Sequence, residues 1–189
     1  LSGDRMIGWI SAVDHKLFYL VNRSLECDLL DTICPILTLP LFWLIPLVLM
    51  LYLIIRSEPK KGLTWALLLL VLFAVSDFVS SGLLKPFFAR FRPCRTLPDV
   101  HLLAYCSKGF SFPSGHATNS SAIATFSFVL KRKTISVILI FVALLVSFTR
   151  VYVGVHYPTD IFFGWTIGAG IAYGFIKLFK LIEGKMRLK

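Results

Sequence analysis

The chain has 189 residues, 57% of them hydrophobic, with a mean hydropathy of +0.78 and a formal charge of +10. A soluble domain sits nearer about 45–50% apolar, and the apolar runs here are too long and too many for a soluble helical core. The charge gathers in short segments between those runs instead of along one face, which excludes the usual nucleic-acid footprint of a basic chain.

The length fits one domain, read as residues 1–34 followed by a bundle over 35–189. The first residue is Leu1, not Met, which points to a natural start upstream. From Met6 to Leu25, Ile7, Ile10, Val13, Leu17, Leu20 and Val21 recur near helical spacing, interrupted by Asp14, His15 and Lys16. That pattern predicts an interfacial amphipathic helix. Five apolar segments follow, at about Pro35–Ile55, Gly62–Leu84, Ser114–Leu130, Thr134–Thr149 and Thr159–Leu181. Each is close to the ~20 residues that cross a bilayer core, the third and fourth being short. Pro40 and Pro46 are expected to bend the first. Gly164, Gly168, Gly170 and Gly174 form two small-xxx-small pairs in the last, which predicts close helix packing there. The fold class is therefore all-α, a polytopic membrane bundle of five or six spans plus the N-terminal amphipathic helix.

Arg56, Lys60 and Lys61 make one basic loop, Lys131, Arg132 and Lys133 a second, and Lys177, Lys180, Lys185, Arg187 and Lys189 a basic tail. The positive-inside rule puts these in the cytoplasm. The segments Lys85–Pro113 and Arg150–Pro158 then lie outside, and three polar patches converge there. Lys85 to Arg92-Pro93 ends the second span. Pro113-Ser114-Gly115-His116 opens the third. Thr149-Arg150 to His156 and Asp160 joins the last two.

Lys85, Arg92 and Arg150 can clamp a phosphate and the charge that develops in its transfer, the two arginines bidentately. Ser114 and Gly115 stand at a helix start, where free N–H groups favour an anion and glycine allows close backbone approach. Asp160, four residues after His156, can fix one imidazole nitrogen and leave the other free to attack phosphorus. His116 then protonates the leaving oxygen. Arg90 and Arg95 are either surface charges or recruit an anionic headgroup. Asp77, two turns before Lys85, is an intramembrane acid expected in a supporting role. His15 and His101 read as ordinary interfacial residues. Cys94 and Cys106 share the outer loop, where a disulfide is permitted; zinc binding by these cysteines and His101 lacks the close ligand spacing. Cys27 and Cys34 form a second possible pair.

These patches resemble the type 2 phosphatidic acid phosphatase signature, Lys-x6-Arg-Pro, Pro-Ser-Gly-His and Ser-Arg-x5-His-x3-Asp, met at Lys85–Pro93, Pro113–His116 and Arg150–Asp160. Thr149 replaces the usual serine and keeps the hydroxyl. The resemblance implies a compact helical bundle, a phosphohistidine on His156, no metal or other cofactor, and a lipid substrate entering from the bilayer. Candidate substrates are lipid A 1-phosphate, phosphatidylglycerophosphate, undecaprenyl pyrophosphate and phosphatidic acid. The outward site, small size and bare loops suggest a bacterial inner membrane enzyme with its site toward the periplasm or exterior, and no nucleic-acid partner. A phosphotransferase between lipids and a non-catalytic lipid carrier are the competing readings.

Overall fold

A computed structural model describes the backbone of residues 2–57, 60–130 and 133–186, and their side chains except those of 2–10, 40–46, 49 and 185–186. Lys131, Arg132, Arg187 and Lys189, on which part of the charge pattern rests, lie outside the described residues. Among the described residues every regular element is a helix. Three stretches are long and apolar enough to cross a membrane: Gly62–Thr96, Lys133–Tyr152 and Pro158–Gly184.

The segment expected as one span from Pro35 divides into α2 (Asp28–Leu37) and α3 (Pro40–Ser57). The chain leaves the helix at Thr38–Leu39, directly before Pro40, as the restriction on residues preceding proline favours. Residues Gly62–Asp77 form α4, followed by a π-helical stretch over Phe78–Leu84 and a short α5, Lys85–Phe88. Ala89 ends α5 in the left-handed region, with φ 47°. A four-residue α6, Pro93–Thr96, starts the outer loop. Then come α7 (Gly115–Val129), α8 (Lys133–Tyr152) and α9 (Pro158–Met186).

Helix α7 is the central post, packed against α9, α8 and α4. Its buried Gly115, Ala117, Ser121, Ala122 and Ala124 let neighbours come close. Gly164 and Gly168 on α9 complete that approach. A Cβ at Gly164 would stand 2.9 Å from the Ala117 Cβ and from the Ser114 carbonyl, and one at Gly168 would collide with Thr118 and Ser121. The second expected pair behaves differently: Gly170 and Gly174 meet nothing within 4 Å. Hydrogen bonds from Ser121 to the Trp165 carbonyl (3.0 Å) and from the Trp165 indole to Ser147 (2.8 Å) tie α7, α8 and α9 together. Leu69, Leu72, Phe126 and Ile176 fill the interior. Large apolar side chains such as Leu67, Val71, Phe141, Phe162 and Leu178 point outward, the surface a bilayer covers.

The end of the bundle that carries the three patches is closed by a second packing layer. Helix α1 (Ser2–Asn22) and α2 lie against the end of α8, with Phe18, Cys34, Val151, Tyr152, Val155 and Tyr157 buried between them. Asn22 donates to the His101 carbonyl (2.8 Å) and accepts from the His101 N–H (2.9 Å), fastening the outer loop to α1. Cys94 and Cys106 are disulfide-bonded, whereas Cys27 and Cys34 are free thiols. Gly154 turns the chain between α8 and α9 at φ 83°, where a side chain would strike Val100.

Candidate active site

The three patches meet at one end of the bundle. α7 starts at Gly115, α8 ends just past Arg150, and α9 starts at Pro158, so three helix ends face one another. His156 sits in the turn between α8 and α9 and is 2% exposed. Its Nδ1 lies 3.3 Å from Asp160 Oδ2, and its Nε2 lies 3.5 Å from an Arg92 guanidinium nitrogen. The Asp160 carboxylate also accepts from the Tyr157 N–H (2.9 Å), the first-turn contact that the Pro158-Thr-Asp sequence sets up. Arg92 is aimed by two carbonyls, those of Gly109 and Val155, each at 3.1 Å.

Lys85 comes from the end of the π-helical stretch, whose wider turn changes the face on which the following residues fall. Its Nζ lies 4.0 Å from where a Cβ on Gly115 would be. A side chain at Gly115 would thus occupy the space between the Ser80 and Ser81 hydroxyls and the ammonium. His116 and Lys85 line one cavity. Ser114 Oγ and Arg150 Nε are buried and meet no hydrogen-bond partner among the described residues. Buried polar atoms without partners are costly; oxygens of a phosphate held among Lys85, Arg92 and Arg150 would satisfy both. The Thr149 hydroxyl back-bonds to the Val146 carbonyl at 2.7 Å, so it serves α8 and not the cluster. Burial, followed by the charges of Arg92, Arg150 and Lys85, pushes the His156 imidazole well below its ordinary pKa.

All eight residues named from the motifs therefore belong to one neighbourhood. What the motifs do not contain is the support behind them. Arg90 donates to Asp160 Oδ1 (2.8 Å) and to Thr159 Oγ1 (2.7 Å), and it pairs with Asp14 on α1. The Arg90 guanidinium also lies 3.8 Å over the Tyr157 ring. Asp14, 1% exposed, accepts from the Thr159 N–H at 3.0 Å and so caps α9. The reading of Arg90 as a surface or headgroup charge is thereby corrected: it is committed to two carboxylates. The signal was present, since Asp14 interrupts an apolar helical face and a buried acid needs a cation. His15 stacks on Tyr157 (5.6 Å), and His101 pairs with Asp31 (2.9 Å).

A helical membrane scaffold with a buried histidine set among Lys85, Arg92 and Arg150 is the architecture of a membrane lipid phosphatase. The chain belongs to the PAP2 superfamily, whose family profile matches residues 64–182. It is 32% identical over 180 residues to a lipid A 4'-phosphatase of Porphyromonas gingivalis, covering 90% of this chain and 75% of that protein. It is 35% identical over 123 residues to an undecaprenyl-diphosphatase of Sulfolobus acidocaldarius, covering 65% and 57%. The crystal structure of Aquifex aeolicus LpxE superposes with a TM-score of 0.67 at 32% identity, covering 86% of this chain and 93% of that one.

Proposed function

We propose that the chain hydrolyses the phosphate ester of a membrane lipid by a two-step transfer through His156. The observation that carries this reading is the pair of unpartnered buried atoms, Ser114 Oγ and Arg150 Nε, beside a histidine already oriented by a carboxylate. Asp160 holds the proton on Nδ1, so Nε2 presents its lone pair to phosphorus. The P–N bond forms as the P–O ester bond breaks, and His116 gives its proton to the departing oxygen. A water then attacks the phosphohistidine, returns a proton to His116, and frees inorganic phosphate. Lys85, Arg92, Arg150 and the Ser114–Gly115 backbone hold the phosphoryl oxygens throughout. Arg90 and Asp14 act through Asp160 and are positioning residues.

The substrate is drawn from lipid A phosphates, phosphatidylglycerophosphate, undecaprenyl pyrophosphate and phosphatidic acid, the first favoured by the relative that spans most of the chain. Phosphate release from purified samples of these lipids tests the reading. The described cluster holds its phosphate with cations, not with the carboxylates that hard metal ions prefer. Activity is accordingly expected to persist in EDTA and to be inhibited by orthovanadate. A chelator-sensitive activity restored by magnesium contradicts this mechanism. Transfer of labelled phosphate to a second lipid instead of to water would favour a phosphotransferase, and no release from any lipid a carrier.

The single domain has five spans, α3, α4, α7, α8 and α9, with α1 held at the outer interface. In this arrangement the site faces the periplasm or exterior of a bacterial inner membrane. A cysteine placed at Lys133 is expected to react only with membrane-permeant reagent, and one at Leu103 with impermeant reagent on intact cells. The opposite labelling would put the cradle in the cytoplasm.

A further inference from the structure

Beneath the phosphate cradle lies a cavity of about 520 Å³ between α3, α4, α7 and α8, continuous with Lys85 and His116. Its deep walls are apolar, with Leu47, Met50, Ile123 and Val142 among them. Its upper wall is not. Asp77, Ser81, Asn119 and Ser120 line it between the cradle and the apolar floor. Asn119 donates to Asp77 Oδ1 at 3.1 Å and accepts from Ser76 Oγ. Among the described residues the other oxygen of Asp77 has no hydrogen-bond partner and no cation stands within ion-pair distance, while Lys85 in the same cavity acts on it through charge. A carboxylate facing a cavity at membrane depth is expensive unless something that enters the cavity uses it.

The register of α7 says what that is. His116, Asn119, Ser120 and Ile123 lie at i, i+3, i+4 and i+7, a single stripe on one face. Three residues, a rise of about 4.5 Å, separate His116 from Asn119. The oxygen protonated by His116 belongs to the leaving group, so the leaving group's carbon skeleton continues down this stripe. The first polar atoms it meets are those of Asn119, Ser120 and Asp77; after them come the apolar walls.

Resting on the phosphatase reading, we infer that Asp77 and Asn119 form a shelf that reads a free hydroxyl on the leaving group, two or three bonds from the ester oxygen. The shelf thereby selects phosphomonoesters whose leaving group is a glycerol with a free neighbouring hydroxyl. Phosphatidylglycerophosphate carries such a hydroxyl. Lipid A, whose ring positions beside both phosphates are acylated, phosphatidic acid and undecaprenyl pyrophosphate do not. The leaving group of the last is itself a phosphate, which the Asp77 carboxylate disfavours by like charge.

The test compares kcat/KM for 1-acyl-lysophosphatidate, with its free 2-hydroxyl, and for its 2-O-methyl ether, in detergent-solubilised full-length protein. The wild-type enzyme is expected to prefer the free hydroxyl by about tenfold or more, the scale of one hydrogen bond to a charged or buried partner. Asp77→Leu is expected to bring the ratio near unity. Asn119→Ala, which keeps the carboxylate, is the second variant should Asp77→Leu lose all turnover, and it should reduce the ratio several-fold. A ratio near unity in the wild type, or one that neither variant changes, overturns the shelf. So does failure to cleave lysophosphatidate by a preparation that dephosphorylates phosphatidylglycerophosphate, because a single glycerol hydroxyl at that reach is what the shelf is inferred to take. Loss of release from every lipid would overturn the phosphatase reading instead.

Discussion

His156→Ala is expected to abolish turnover and to leave no acid-labile phosphoenzyme after a quench with labelled lipid. The side chain is buried, aligned by Asp160, and faces Arg92 through Nε2, and the proposed mechanism routes the phosphoryl group through that nitrogen. The same geometry assigns His116 a separable role. It lines the cavity shared with Lys85 and in the proposed mechanism protonates the departing oxygen, so His116→Ala should slow an alkyl phosphate far more than an aryl phosphate, whose departing oxygen needs no proton. Equal slowing of both substrates would remove His116 as the acid. Labelling of His156→Ala but not of His116→Ala would reverse the two assignments.

The pH profile carries the same argument. Burial and three cations disfavour the charged form of His156, so its folded-state pKa lies below the ordinary value of about 6.5. The neutral, nucleophilic form is present above the depressed value and is lost only as pH falls through it. The acid limb of kcat/KM that belongs to His156 is therefore expected below the ordinary histidine range. Arg150→Gln removes one of the opposing charges and should move that limb to higher pH. The substrate's own titration is common to both profiles and cancels in their difference.

The motifs were legible because phosphoryl transfer needs a fixed set of residue types at spacings that helix ends and one tight turn impose. The helices were legible from hydropathy, with α7, α8 and α9 beginning and ending within a few residues of the expected segments, and α8 and α9 are long and apolar enough to cross a membrane. Three features were hidden for physical reasons. The break between α2 and α3 is marked only by Pro40, in a run whose hydropathy does not change. The packing of Gly164 and Gly168, as against Gly170 and Gly174, depends on which face of α9 meets α7, and a bare small-residue count is blind to that. The Asp14–Arg90–Asp160 chain links residues 76 and 70 positions apart, and nothing local to either acid names its cation.

That chain sets the second large expectation. Asp160→Asn keeps the shape of the site but loses the acceptor that fixes the His156 tautomer. It should lower kcat by on the order of 10²–10⁴-fold with little change in KM, by analogy with the carboxylate of a serine-protease triad. In the proposed mechanism Arg90 acts through Asp160: it holds Asp160 Oδ1 while Asp160 Oδ2 lies against His156. Arg90→Met should therefore lower kcat by roughly 10–10²-fold, with partial recovery in Arg90→Lys, which restores the charge but not the fork that spans Asp14 and Asp160. The decisive measurement is the double variant. If Arg90 acts through Asp160, Arg90→Met should cost almost nothing further once Asp160 is Asn, because the group it positions is already gone. Independent, multiplicative losses would mean that Arg90 and Asp14 only fasten α1 to α9, and that the catalytic histidine is held by Asp160 alone.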